Sequence, residues 1–292
     1  MPLRRLHPTG YDVADNLLTA MAQVGFWPEP GTRILDYGCG EGGLVYRLLD
    51  LGFDAYGFDI HERVAYRSPE DRSRFGFLST GTSEQTDQRI DRSTFRLPFP
   101  DDAFDVVLST SVLEHVLDLA PVVAEIARVT RTDGITLHMY PSRASLIEPH
   151  MYVPLGTRIQ SWPWLYLWAL LGVRNEWQET PPRSARTVAN INRKYCRQGI
   201  SYLPDRSIFQ LFRRHFAAVA WADYAIRRRL SLREHAYYFL KTDPLWFLRW
   251  RFADKSLLRA LARRQPLRAI FATAKKAREP AASELGPRAR KK

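Results

Sequence analysis

The chain has 292 residues, 45% of them hydrophobic and 25% charged, with 43 Lys and Arg against 31 Asp and Glu. At roughly 100–200 residues per domain this allows one large domain or two small ones, and the apolar fraction excludes wholesale disorder. Two cysteines, Cys39 and Cys196, exclude a disulfide scaffold and cannot alone make a structural zinc site, and no metal is expected from the sequence.

The opening MPLRRLHPTGYDVADN lacks the apolar stretch of a signal peptide. The longest apolar run, residues 162–173, falls short of the ~20 residues that a spanning helix needs. A cytoplasmic protein is expected, with peripheral contact to the inner face of a membrane left open. Charge is uneven: residues 1–140 hold 13 basic and 21 acidic side chains, and residues 141–292 hold 30 and 10. The second part should attract anions. Its basic clusters, Arg227-Arg228-Arg229, Arg263-Arg264, Lys275-Lys276 and the closing RARKK, read either as a solvated face and tail or as a contact for acidic lipid, phosphorylated substrate or nucleic acid.

In chain order, Val13, Leu17, Ala20, Met21 and Val24 recur at helical spacing and predict a helix over 12–24, ended by Pro28, Pro30 and Gly31. A short buried strand, 33–36, runs into the glycines of YGCGEGG (37–43). A helix over 44–51 and a strand over 53–58 follow, the strand ending at Asp59. This is one βαβ unit, which makes the two strands parallel neighbours. Residues 61–94 are polar and give no assignment. A strand over 104–109, a helix over 118–129 and a strand over 134–140 continue the alternation, which argues for a sheet covered on both faces. From 141 to 202 the rhythm breaks into a stretch rich in Trp, Pro and Arg, too long for a simple connection. A helix over 207–216 and strands over 217–226 and 237–241 then restore it. The resulting division is 1–30 as an N-terminal helical segment, 31–242 as the main domain with 141–202 inserted over the carboxyl edge of its sheet, and 243–292 as a basic helical extension and tail.

Gly38, Gly40 and Gly42 or Gly43 lie between a strand and a helix, where glycine lets backbone approach a ligand and the helix amino terminus adds partial positive charge. Asp59, nineteen residues past Gly40, stands where such folds bind ribose hydroxyls. Both features point to a nucleoside-bearing cofactor. The spacing also satisfies the dinucleotide fingerprint, so an NAD-dependent dehydrogenase is the rival reading, and a non-catalytic cofactor-binding protein is another. Asp36, just before the first glycine, would repel a pyrophosphate and suits the positive methionyl end of S-adenosylmethionine.

Two segments then carry a family likeness. RILDYGCGEGG (33–43) resembles the first motif of class I S-adenosylmethionine-dependent methyltransferases, and LPFPDDAFDVVLSTSVLEHV (97–116) resembles a later segment of the ubiquinone-methyltransferase-like branch, the type 11 methyltransferase domain. The resemblance covers about residues 31–141. It implies a Rossmann-like, doubly wound, seven-stranded and mostly parallel sheet whose last strand is antiparallel, here with an inserted helical cap and a basic extension. It implies S-adenosylmethionine as cofactor, with Gly38, Gly40 and Gly42 around the methionyl end, Asp36 beneath it, Asp59 on the ribose and Ile60 on the adenine. The family's adenine-recognition Asp is replaced by Ser93, beside Thr94, with Asp91 out of register. Ser109 to Ser111 would lie beside the reactive methyl.

On the substrate side, His115 reads as a structural residue or an acceptor contact, and Tyr140 as a pocket residue at the end of its strand. His150, oriented by Glu148, reads as a general base or as a structural loop histidine; His138 reads as a core residue. The absence of an Asp/Asn-Pro-Pro-aromatic segment after residue 108 argues against amino-methylation of nucleic acids. The 162–173 run reads first as a buried cap helix closing over the site, then as a membrane-interface segment, then as an oligomer contact. The pattern Glu148-Pro149-His150, Pro154-Leu155, Asn192, Tyr195 and Tyr202-Leu203-Pro204 is similar to methyltransferases encoded with bacterial polysaccharide assembly. That likeness implies O-methylation of a sugar or other small-molecule hydroxyl, with a quinone-type lipid or RNA as the alternative acceptor.

Overall fold

The computed structural model describes residues 8–79, 95–179, 181–222 and 268–275. Helix α1 (Pro8–Gln23) precedes the first βαβ unit, formed by β1 (Arg33–Tyr37), α2 (Gly43–Asp50) and β2 (Asp54–His61). A 3-10 turn, Pro69–Arg74, leads to the edge strand β3 (Phe75–Ser79). Then come β4 (Phe104–Thr110), a 3-10 turn Leu113–His115, α3 (Leu119–Val129) and β5 (Thr130–Tyr140). The remaining elements are α4 (Trp162–Leu170), α5 (Glu176–Glu179), α6 (Ala185–Gln198), α7 (Asp205–His215), β6 (Phe216–Trp221) and β7 (Arg268–Lys275).

The seven strands form one sheet in the order β3-β2-β1-β4-β5-β7-β6, with β7 antiparallel to both its neighbours and the other pairs parallel. Alternation along the strands divides the core. Leu35, Tyr37 and Val107 face the apolar cluster under α3 and α7, whereas Ile34, Val106 and Leu108 face the one under α1 and α2. Both faces are therefore covered, as a parallel sheet requires. In α1 the stripe Ala14, Leu17, Ala20 and Met21 is fully buried, which is why its spacing reads so clearly.

Three expectations are corrected. The strand that completes the sheet is Arg268–Lys275, inside the stretch read as a helical extension, so the sheet reaches past residue 242. Its sequence, RAIFATAK, is alanine-rich and flanked by cations, a composition that favours helix until small residues are needed between two strands. The strand expected at 237–241 lies outside the described residues, as do the basic clusters at 227–229, 263–264 and 288–292. Second, β3 emerges from the unassigned 61–94 stretch as a five-residue edge strand in which Gly76 pairs with Phe58. Third, α4 is no fully buried cap: it buries only Leu165 and Ala169, and Leu167, Leu170 and Leu171 face solvent.

The insertion has its own small core. Ile147, Met151, Val153, Leu165, Val173, Ala189, Cys196 and Ile200 cluster there, with Trp162, Trp164, Trp168, Tyr195 and Tyr202 packed around them. It is fastened to the sheet's carboxyl edge where Ser201 N–H donates to the Glu114 carbonyl at 2.6 Å. Among the described residues no helix is long and apolar enough to cross a membrane.

Candidate active site

β1 and β4 are neighbours in the sheet, but their connections leave in opposite directions, so a crevice opens beyond their carboxyl ends. One wall is the glycine turn. Gly38, Gly40 and Gly42 have φ of +83°, +54° and +81°, a region that side chains other than glycine rarely adopt. A Cβ on Gly38 would stand 2.3 Å from Val112, in the segment that follows β4; one on Gly40 would meet nothing within 4 Å. Gly38 is thus required by the opposite wall, and the space beside Gly40 is free for a ligand.

The turn's donors are already committed. Gly38 and Cys39 N–H both donate to the Phe58 carbonyl, at 2.7 and 3.0 Å, and Gly40 N–H donates to Asp59 Oδ2 at 2.8 Å. A bound pyrophosphate would need such N–H groups for itself. Here they tie β1 to the end of β2, and two buried carboxyls, Asp36 and Asp59, lie close enough to feel each other's charge. Burial, then the charge of Asp59, pushes the Asp36 carboxyl up to about 7. A positive ligand relieves that repulsion and an anionic one adds to it. The set fits S-adenosylmethionine, with its ammonium and sulfonium, and speaks against the dehydrogenase alternative.

Asp59 also accepts from His61 N–H at 3.2 Å, and half-buried Ile60 lies between them. Ser93 and Thr94 fall outside the described residues. Ser109 and Ser111 part company. Ser109 is fully buried within β4, its hydroxyl 2.8 Å from His138 Nδ1, so it belongs to the core and not to the mouth. Ser111 is exposed with φ +57° and turns the chain out of the sheet, its N–H on the Met139 carbonyl at 2.7 Å. His138 is a core residue as expected; burial lowers its pKa to about 3 and keeps it neutral. Tyr140 is buried in the cluster beneath α7.

Beside the segment that follows β4, the insertion delivers a second group. Glu148 is fully buried, and its carboxylate organises the loop around it. Oε2 accepts the N–H groups of His150 and Met151 at 2.9 and 2.5 Å; Oε1 accepts from His150 Nδ1 at 2.7 Å and from the Tyr202 hydroxyl at 2.6 Å. His150 therefore carries its proton on Nδ1 and leaves Nε2 as an acceptor. Burial pulls the His150 pKa down, but the hydrogen bond and charge of Glu148, with Glu114 behind it, outweigh burial, and the net shift is upward. His115 packs edge-on against His150 at 4.8 Å between ring centroids, its Nδ1 2.8 Å from the Gly199 carbonyl. Burial, then the charge of His150, lowers its pKa. Tyr195 closes the ring group, 5.8 Å from His150.

Of the residues expected on the substrate side, Glu148, His150 and His115 converge and Tyr140 does not join them. Tyr195 and Tyr202 belonged to a pattern in the sequence without a role. Glu114 had none: its carboxyl is buried beside both histidines, and burial pushes it up to about 7.

Residues 35–138 match the family described as "Methyltransferase domain". The sheet order and the glycine turn agree with that match, and over these residues the chain resembles a class I S-adenosylmethionine-dependent methyltransferase domain. Curated relatives agree in kind. The chain is 32% identical over 130 residues to a probable S-adenosylmethionine-dependent methyltransferase of Mycolicibacterium smegmatis, covering 43% of this chain and 44% of that one. It is 35% identical over 119 residues to a 2-methyl-6-phytyl-1,4-hydroquinone methyltransferase of Synechocystis, covering 40% and 35%. It is 32% identical over 130 residues to a ubiquinone biosynthesis O-methyltransferase of Hahella chejuensis, covering 44% and 48%. The chain spans less than half the length of each of these three relatives.

Proposed function

We propose that this chain methylates a hydroxyl group of a small-molecule acceptor, by direct in-line transfer from S-adenosylmethionine, and that His150 takes the hydroxyl proton. The carrying observation is the His150–Glu148 pair: an imidazole with Nδ1 fixed on a buried carboxylate and Nε2 without a hydrogen-bond partner among the described residues, at the carboxyl edge of the sheet. The cofactor, when bound, supplies an activated methyl group. Asp36 and the glycine turn at Gly38, Gly40 and Gly42 hold its methionyl end, Asp59 its ribose and Ile60 its adenine, with Ser111 beside the methyl. Alignment of hydroxyl and methyl is worth up to ~7–11 kcal/mol in favourable cases. A positioned base adds typically ~10²–10⁴-fold. Glu148 and Tyr202 act through His150 by fixing its tautomer.

A sugar or glycan hydroxyl is the first acceptor class. The Glu148-Pro149-His150 pattern supports it, and so does a basic second half able to draw in phosphate-linked substrates. A quinol is the second, because two of the relatives are named for quinone and hydroquinone methylation. The test is transfer of labelled methyl to a panel of nucleotide-linked and lipid-linked sugars, hydroquinones and RNA. Label in a sugar hydroxyl is expected; label in a quinol selects the second class, and label in RNA rejects both. Binding of S-adenosylhomocysteine with no transfer to any hydroxyl compound overturns the reading.

The exposed face of α4, with Trp177 85% exposed nearby and Arg158, Arg183 and Arg186 at the surface of the insertion, supports peripheral contact with an anionic membrane. Flotation with anionic but not neutral vesicles, diminished in Leu167→Glu/Leu170→Glu, is the expected result; no flotation removes the membrane from the account.

A further inference from the structure

Glu114 and His115 leave the end of β4, and His150 comes from the insertion, yet one ligand atom from each lies within 4.8 Å of the others. Both histidines are held from behind. A carbonyl can only accept, so His115 must carry its proton on Nδ1 to bond Gly199, just as His150 carries its own toward Glu148. In each neutral ring the lone pair is then on Nε2. A carbonyl or carboxylate behind Nδ1 is the support that metal-binding imidazoles regularly have.

The third member is the more telling. The Glu114 side chain is 1% exposed, and neither carboxylate oxygen has a hydrogen-bond partner among the described residues. Its Oε1 stands 3.9 Å from His115 Nε2. Buried polar groups without partners are rare in native proteins, and each calls for an explanation. A cation in the crevice would complete this carboxylate.

We propose that Glu114, His115 and His150 form a divalent-cation site of the two-imidazole, one-carboxylate kind, suited to zinc or a similar nitrogen-preferring ion. Two nitrogen donors argue against magnesium and calcium, which take oxygen ligands. Metal–ligand bonds of about 2.0–2.2 Å require the three atoms to draw together from their present spacing. Both imidazoles remain partly exposed, so a further coordination position faces the crevice. The consequence rests on the proposed role of His150 as base. Its Nε2 cannot both bind a cation and accept a proton, so an occupied site holds back methyl transfer.

The test is titration of the chelator-treated full chain with Zn²⁺ against a chromophoric chelator. One zinc per chain is expected, bound at least tenfold more weakly by Glu114→Gln and by His115→Ala, with His215→Ala as an unaffected control. Retained S-adenosylhomocysteine binding establishes that each variant is folded. No stoichiometric zinc, or affinity unchanged in both cluster variants, overturns the site. Turnover is read separately: a fall in proportion to zinc occupancy supports the exclusion of base by metal. A rise keeps the cation site and takes the role of base from His150, so the two readings fail apart.

Discussion

The cofactor half and the acceptor half of the crevice are built differently. Around the glycine turn the groups that would hold the cofactor, Ser111 apart, come from β1, its turn or the end of β2, and the hydrogen bonds are mostly backbone to backbone. On the acceptor side four side chains from distant positions meet: Glu114 and His115 after β4, His150 in the insertion and Tyr202 beyond α6. A local motif suffices for the first, since close backbone approach and one acid are all that it asks. The second exists only because the insertion docks on the sheet. Changes there should therefore alter turnover and leave cofactor binding intact.

The sharpest way to break that separation is His150→Ala. Turnover at saturating acceptor should fall by ~10²–10⁴-fold while S-adenosylhomocysteine affinity stays within twofold. Turnover unchanged would remove the base; affinity lost in parallel would mean that the two halves are one unit. Next is the carboxyl of Asp36. Its pKa of about 7 in the free protein should drop beside the cofactor's ammonium, so binding releases a proton. Affinity should then rise as pH climbs toward 7 and flatten above it, and fall by about tenfold per unit below it. Titration calorimetry in buffers of different ionisation enthalpy reads the released proton directly. Smallest is Tyr202→Phe, which removes one of four hydrogen bonds to Glu148. The loss should be ~1 kcal/mol, or about fivefold in turnover, with no change in cofactor affinity.

The same contrast explains what the sequence made legible. RILDYGCGEGG announces the turn because φ above zero and a 2.3 Å approach to Val112 leave Gly38 no substitute. Ser109 misleads, because strand periodicity does not say that β4 runs one residue past it and turns its hydroxyl onto His138, twenty-nine positions later. The partnership of Glu148 with Tyr202 spans fifty-four positions and has no local signature. Glu114 reads as an ordinary polar residue in an apolar segment until the fold buries it with no hydrogen-bond partner among the described residues. β7 stayed hidden for a different reason: its alanines suit helix by propensity, and only the gap between β5 and β6 makes it a strand.

The central claim is that S-adenosylmethionine is held at the meeting of β1 and α2 with Asp59 on its ribose. Calorimetric titration of S-adenosylhomocysteine into the intact chain and into Asp59→Ala tests it most directly. One site per chain is expected, weakened by ~10–100-fold in the variant as charge-assisted hydrogen bonds to two hydroxyls are lost. No binding to the intact chain, or equal affinity in the variant, would contradict it.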